Sequence, residues 1–202
     1  MTLRVLLAAL LLVVIVPGIT ACGSASEESV TESVDTEDVE GDVTTVFSVT
    51  TSAFESEATI PSNHAREGAG GNNVSIPYEW ADAPEGTRSF ALVLMDLHPI
   101  AHRWIHWMVV DVPADINAVE EGASGTETMP SGSRELANTW GDIGYGGPEP
   151  PEGSGGHEYR MTVYALDVEQ LDIADDAELR GFLDATEDRV LAEASIVGVY
   201  SK

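Results

Sequence analysis

The residues best suited to chemistry in this sequence are an aspartate, two histidines and a loop rich in glycine and proline. The loop covers residues 144–157 and reads Gly-Tyr-Gly-Gly-Pro-Glu-Pro-Pro-Glu-Gly-Ser-Gly-Gly-His. Proline lacks a backbone donor and glycine gives up conformational entropy, so this segment cannot be a helix or a central strand. A glycine-rich loop exposes backbone N–H groups, and His157 at its end adds a titratable donor. Together these groups favour a small anion such as phosphate.

Two predicted strands carry further polar side chains toward this loop. Asp96 ends a run with the pattern of a buried strand, and His106 begins the next strand along the chain. Both are therefore expected near one rim of the sheet, within reach of the loop. Two imidazoles offer N–H donors and partial positive charge, and a carboxylate can fix the tautomer of a histidine. For either histidine alone, a hydrogen-bonded structural role is the better interpretation.

The elements that must position these residues are mostly strands. Segments rich in glycine, proline, asparagine and aspartate separate the strand-like runs, a pattern typical of an antiparallel β-sandwich. Pro77 indicates that its strand lies at a sheet edge, and residues 120–134 are expected to form a long loop. The predicted strands are residues 43–51, 74–80, 89–95, 105–112, 157–166 and 195–200.

One segment near the C-terminus has helical spacing instead. Asp175, three residues before Glu178, resembles a capping box at its start. The apolar positions on one face of the predicted helix are Leu179, Phe182, Leu183, Thr186, Val190, Leu191 and Ala194. The predicted fold class is therefore mainly β, an antiparallel β-sandwich with one surface helix in the C-terminal region.

The N-terminus has the pattern of an export signal. Its apolar run, residues 5–16, is too short to span a bilayer as a permanent helix and is typical of a signal peptide. The run is followed by Ile-Thr-Ala-Cys-Gly, which resembles a bacterial lipobox, in which the cysteine is lipidated and becomes the first mature residue. We predict a lipoprotein signal peptide at residues 1–21 and lipidation at Cys22. An ordinary signal peptide with an incidental cysteine is the alternative.

Composition separates a tether from a domain. Residues 22–43 are acidic, lack aromatic residues and show no periodicity, so they are predicted to be a disordered tether. Residues 44–202 form the predicted domain. The whole chain has 35 acidic and 9 basic residues and a net charge of −26. The negative electrostatic field of such a chain argues against nucleic acid and anionic lipid surfaces as partners. The membrane is expected to be contacted through the N-terminal lipid only.

Two other kinds of site are not favoured. His98, His102 and His106 would share one face of a helix and could bind a metal there, but Pro99 and the strand-like run that follows contradict a helix. No Gly-x-Ser-x-Gly elbow is present, and Ser154 lies in a glycine-rich loop that need not hold a nucleophile. We therefore predict no catalytic residue, no metal and no cofactor.

Five segments, in this order, resemble the phosphatidylethanolamine-binding protein family in its bacterial and archaeal, Raf-kinase-inhibitor-like branch. They are residues 72–80 (NNVSIPYEW), 89–96 (SFALVLMD), 104–113 (WIHWMVVDVP), 144–153 (GYGGPEPPEG) and 157–167 (HEYRMTVYALD). The resemblance covers residue 44 to the end. It implies a β-sandwich with a small anion pocket, one wall of which is the Gly/Pro loop. The residues that it implies for ligand binding are Asp96, Trp104, His106, Gly147, Pro150, His157 and Tyr159.

Two positions depart from the family's pattern. His98 stands where the family has a second aspartate, in a segment that is one residue shorter here, and Glu149 stands where many prokaryotic members have cysteine. Members that gate the pocket use an extra C-terminal helix, whereas this chain stops at Lys202. The pocket is therefore expected to be open, and anion binding to be weak and to strengthen as the pH falls through about 6.5, the ordinary pKa of histidine.

Three classes of function stay open. The preferred one is a lipid-anchored extracytoplasmic binding protein for phosphate or a phosphorylated head group, because the sequence has the residues for it. An inhibitor or regulator of an extracytoplasmic protease or other enzyme is the alternative, and it rests on resemblance alone. An uncharacterised hydrolase ranks lower, because the sequence does not identify a nucleophile.

We expect the change Cys22→Ser to release the protein from membranes, because serine cannot carry the lipid that a lipobox cysteine receives. Fractionation of the producing cells into membrane and soluble pools measures this effect, with the wild-type chain as the control. Intact-mass analysis of the wild-type protein should show a lipid-modified chain that begins at Cys22. A cleaved N-terminus without lipid would contradict the prediction.

Overall fold

The computed structural model describes residues 45–202, which contain eight strands and one α-helix. The strands are β1 (Ser48–Thr50), β2 (Tyr78–Ala81), β3 (Ser89–Asp96), β4 (Ile105–Pro113), β5 (Ala118–Val119), β6 (Arg134–Glu135), β7 (His157–Leu166) and β8 (Val190–Tyr200), and the helix is α1 (Leu179–Thr186). The predicted signal peptide, Cys22 and the tether lie outside the described residues. In the described part of the chain, no helix is long and apolar enough to cross a membrane.

Two antiparallel sheets form the predicted sandwich. The larger sheet has the strand order β6-β4-β3-β7-β8, and the smaller has the order β1-β2-β5. Side chains of a strand alternate between its two faces. Phe90, Leu92 and Leu94 of β3 therefore join the core shared with the small sheet, whereas Ala91 and Val93 join a second core. Because both faces of β3 are covered, its sequence is a continuous apolar run.

The C-terminal helix is shorter than predicted. It covers the second core with Phe182, which is fully buried, but it ends at Thr186, whose hydroxyl donates to the Phe182 carbonyl. Val190 already belongs to β8, which pairs with β7 along its whole length. The predicted helical positions Val190, Leu191 and Ala194 are therefore wrong. An eleven-residue strand that pairs with β7 from Val190 to Tyr200, with one register shift at Leu166, is more favourable than a further helical turn, since tertiary pairing overrides local spacing.

The predicted capping box is also wrong. Glu178 occupies the N-cap position without a side-chain hydrogen bond to the helix. Asp175 instead accepts a hydrogen bond from the guanidinium of Arg134, at 2.7 Å. That guanidinium also donates to Asp111, at 2.7 Å, so Asp175 belongs to a charged network beside the sheet.

The small sheet differs from the prediction in its details. Pro77 precedes β2, and β2 is the middle strand between β1 and β5, so the predicted edge position is wrong. Within the described residues, the first predicted strand is reduced to Ser48–Thr50. The predicted long loop runs from the end of β5 to β6, which begins at Arg134.

One rim of the large sheet collects the polar residues. Asp96 is the last residue of β3 and pairs with Tyr159 of β7. His106 is the second residue of β4, and His157 is the first residue of β7. The connection between β3 and β4 includes a short 3₁₀ turn, Pro99–Ala101. Antiparallel pairing therefore brings the end of one strand and the starts of its two neighbours to the same edge.

Candidate ligand-binding pocket

A cavity of about 430 Å³ lies at this rim. Six of the seven residues predicted to bind a ligand line it, and Gly147 is the exception. The lining residues are Asp96, Ile100, Ala101, Trp104, His106, Trp140, Glu149, Pro150, Pro151, His157, Tyr159 and Lys202.

The buried carboxylate of Asp96 holds two neighbours in place. The Nδ1–H of His157 donates to Asp96 Oδ2 at 2.6 Å, and the backbone N–H of His98 donates to Oδ1 at 2.8 Å. Asp96 therefore fixes the tautomer of His157, as expected. The other ring nitrogen of His157 lies 3.0 Å from the hydroxyl of Ser154. Because its Nδ1–H is engaged with Asp96, His157 holds that carboxylate in place and, in this tautomer, has no free N–H to offer.

His106 has a different environment. Its Nδ1 lies 2.7 Å from the carbonyl oxygen of Gly146 and 3.2 Å from that of Gly147. Both partners are acceptors, so Nδ1 carries the proton. Burial lowers the pKa of His106 to about 4, although the two carbonyls and nearby Asp96 act in the opposite direction. His106 is therefore neutral at pH 6.5, so its protonation does not account for the predicted strengthening of anion binding near that pH.

Two buried donors at the cavity make no hydrogen bond of good geometry in the described part of the protein, although the Asp96 carboxylate lies close enough to one of them, Tyr159, to raise its pKa. They are the hydroxyl of Tyr159 and the indole N–H of Trp104. Burial, and then the charge of Asp96, raises the pKa of Tyr159 far above its ordinary value, so this hydroxyl stays protonated. Buried polar groups in proteins almost always have partners. A ligand that offers oxygen acceptors would satisfy both.

Aromatic rings build the walls of the cavity. Trp140 makes edge contacts with both Trp104 and His106, with ring centroids 5.1 Å apart in each pair, and His106 makes a similar contact with Tyr159 at 5.0 Å. Trp140 was missed by the sequence analysis because it lies in a turn without strand periodicity. Hydrogen bonds between its neighbour Thr139 and Ile105 hold that turn against β4.

Charged residues at the cavity were also missed. The Arg66 guanidinium lies 4.2 Å from the centre of the Trp140 ring, and its Nε lies 3.6 Å from a carboxylate oxygen of Glu149. Lys202, the one lysine in the sequence, lines the cavity and donates to the Gly68 carbonyl at 2.6 Å. Arg66 and Lys202 are far from the motif residues along the chain, so no local pattern indicates them.

The glycine loop does not offer the expected row of free donors. The N–H of Gly146 donates to the His106 carbonyl at 2.8 Å, and that of Gly147 donates to the Asn73 side chain at 2.7 Å. The N–H groups of residues 144 and 145 are engaged as well. The predicted backbone anion site is therefore wrong for this part of the loop. A side chain at Gly147 would overlap the carbonyl of His64, so glycine is needed there for close packing.

The departures at 98 and 149 both affect the cavity. The ring of His98 stacks on His157 with centroids 3.9 Å apart, and Glu149 adds a carboxylate to the lining. His98 and His106 thus have separate partners, and His102 is exposed. Within residues 45–202, no group of three or more histidine, cysteine or acidic side chains could hold a metal ion.

We expect the imidazole of His106 to titrate near pH 4. NMR of the histidine rings measures this, and a His106→Gln variant identifies the resonance.

Because the folded-state pKa of His106 lies below its unfolded value, the unfolded chain binds the proton first as the pH falls. The contribution of His106 to stability is therefore fully present above about pH 6.5 and is lost as the pH falls toward 4. The unfolding free energy of the His106→Gln variant should fall less over this range. An imidazole that titrates near pH 6.5 would refute the assignment.

Comparison with known proteins gives consistent matches over the described domain. The family model described as phosphatidylethanolamine-binding protein matches residues 50–201. The UPF0098 protein YbhB of Escherichia coli is 37% identical over 148 residues, which are 70% of this chain and 92% of that protein. A Mycobacterium tuberculosis protein whose name includes the word lipoprotein, LppC, is 35% identical over 115 residues, 57% of this chain and 53% of LppC. The crystal structure of E. coli YbcL, described as a new member of the mammalian PEBP family, has a TM-score of 0.73 and 29% identity, and the match covers 77% of this chain and 98% of that one.

Proposed function

The chain belongs to the phosphatidylethanolamine-binding protein family, and from this premise we propose that it is a lipid-anchored extracytoplasmic binding protein for a small oxyanion, such as phosphate or a phosphorylated head group. The observation that carries the proposal is a pair of buried donors that make no hydrogen bond of good geometry in the described structure, the Tyr159 hydroxyl and the Trp104 indole N–H. Both residues line the same cavity.

The charges around the cavity are compatible with an anion. Asp96 is paired with His157 and the carboxylate of Glu149 lies near the guanidinium of Arg66, so neither acid is isolated. Lys202 adds an ammonium group to the lining. The chain carries a net charge of −26, so long-range attraction does not assist binding. Recognition rests on local hydrogen bonds, and we expect modest affinity.

The proposed location rests on the N-terminal sequence. The lipobox-like segment places a cysteine where a mature lipoprotein would begin, and Cys22 is the one cysteine in the chain. The relative LppC carries the word lipoprotein in its name. The acidic residues 22–43 would then separate the binding domain from the membrane surface.

Phosphate binding by the purified protein tests the proposed function. The change Tyr159→Phe removes one hydroxyl and leaves the ring, so it should weaken phosphate binding by a factor of about 10 to 100, because a hydrogen bond to a charged group contributes about 1.5–3 kcal/mol. Tyr164→Phe is the matched control, because Tyr164 lies on the same strand but packs against Phe182, away from the cavity. Glu149→Gln should tighten binding by removing a negative charge. Isothermal titration calorimetry measures all three affinities, and equal values for wild type and Tyr159→Phe would refute the proposal.

A second candidate function is acyl or phosphoryl-ester hydrolysis. Asp96, His157 and Ser154 are connected by contacts of 2.6 Å and 3.0 Å in the order of a catalytic triad. Two observations rank this candidate second. The hydroxyl of Ser154 donates to the Pro151 carbonyl at 2.6 Å, so its proton is not directed at His157. Ser154 is also absent from the residues that line the cavity.

A fluorophosphonate probe distinguishes this second candidate. A hydrolase of this kind should be labelled at Ser154, and Ser154→Ala should abolish the labelling. Ser133→Ala is the matched control, because Ser133 makes the same hydrogen bond to a proline carbonyl three residues earlier, at 2.7 Å, without a histidine partner. We expect no labelling of wild type, because the Ser154 proton is already engaged. Labelling that depends on Ser154 would establish the second function instead.

A further inference from the structure

We infer that this cavity selects an oxyanion that carries an acidic O–H, such as a phosphate monoester in its singly charged form, over one that has no proton to donate. The inference rests on the proposed function and specifies its ligand class. It excludes sulfate and also phosphodiesters, which include the head groups of intact phospholipids.

The first step concerns the free nitrogen of His106. Its Nδ1–H is directed at the carbonyls of Gly146 and Gly147, so in the neutral ring Nε2 holds a lone pair. Nε2 makes no hydrogen bond within the described residues, and the ring lines the cavity. The side chain is almost fully buried, at 2% exposure, so the access that Nε2 has is through the cavity. This wall of the cavity therefore offers a hydrogen-bond acceptor.

The second step concerns the groups around His106. Asp96 at the end of β3 adds a carboxylate, which is a further acceptor, and from β7 come the Tyr159 hydroxyl and the His157 ring that is bound to Asp96. From the loops, Arg66 lies over the ring of Trp140 and beside the carboxylate of Glu149, and Lys202 also lines the cavity. None of these groups donates a hydrogen bond to His106 Nε2 in the described structure. The acceptor at Nε2 is therefore available to a ligand.

The third step combines the donors of Tyr159 and Trp104 with the acceptor of His106. Tyr159 O–H and Trp104 N–H require acceptors, whereas His106 Nε2 requires a donor. A tetrahedral oxyanion with one O–H and several free oxygens provides both. An oxyanion without a proton would place an oxygen lone pair against Nε2 in a buried site, and an unpaired polar contact of that kind is costly. Selection thus depends on a proton of the ligand rather than on a charge of the protein.

Binding should then follow the protonation of the ligand. A phosphate monoester changes from its singly to its doubly charged form near pH 6. Affinity is therefore greatest below that pH and falls as the pH rises through it, because the ligand loses the O–H that His106 accepts. A positively charged imidazole would give the same trend for phosphate but would attract sulfate equally. Sulfate, which carries no proton between pH 5 and 8, separates the two explanations.

The test compares ligands on the full-length wild-type protein by calorimetry at pH 5.5 and 8, at constant ionic strength. Phosphoethanolamine, whose phosphate group has lost its O–H at pH 8, should bind at least tenfold more tightly at pH 5.5 than at pH 8. Sulfate should bind at least tenfold more weakly than inorganic phosphate at pH 5.5. Phosphoethanolamine, a monoester, should bind more tightly than glycerophosphoethanolamine, a diester of similar net charge at pH 5.5. This pair also distinguishes a free phosphomonoester from a lipid head group.

The outcomes separate the inference from the proposed function. Equal binding of phosphate and sulfate at pH 5.5, or equal binding of monoester and diester, would overturn the inference and leave an anion site. Failure of every ligand to bind at both pH values would overturn both. In a folded His106→Leu variant, which has no acceptor at this position, the preference for phosphate over sulfate should disappear. A preference retained in that variant would count against His106 as its source.

Discussion

A single buried carboxylate, that of Asp96, determines how this rim of the sheet is arranged. An unpaired charge in such a place would be strongly destabilising, so the fold must bring donors to it. One donor is the ring of His157 from the neighbouring strand, and the other is the backbone of His98 in the connection that follows. Meeting this requirement fixes the start of β7 and the path of the connection. Tyr159, which pairs with Asp96 across the strands, is thereby positioned in the cavity.

Much of this arrangement could be predicted from the sequence, and the rest failed for identifiable reasons. The apolar runs of β3, β4 and β7 and the polar residues at their ends are local patterns, and the resemblance placed Asp96, His106, His157 and Tyr159 together. The end of α1 was not predicted, because the pairing of β8 with β7 depends on residues distant in sequence. The tautomer of His106 and the engagement of the loop N–H groups also depend on such contacts. Trp140 is positioned by hydrogen bonds from its turn to β4.

The electrostatics of the cavity follow from the acidity of the chain. A site that relied on positive charge would have to overcome the field of a protein with a net charge of −26. The donors found here are instead largely neutral, a phenol and an indole, whose hydrogen bonds are directional and short in range. Charged groups at the cavity are paired with opposite charges or bonded to backbone carbonyls. Such a site favours discrimination between similar ligands over high affinity.

The contrast between Gly147 and Glu149 has an evolutionary consequence. Packing against the carbonyl of His64 leaves no room for a side chain at Gly147, so natural variation there would damage the wall itself. Glu149 projects into the cavity from the same loop and is only partly buried, with 30% of its side chain exposed. Substitutions at this position would alter the ligand environment at little cost to folding. Proteins that share this backbone can therefore diverge in ligand preference through substitutions at position 149, whereas selection for stability keeps Gly147 constant.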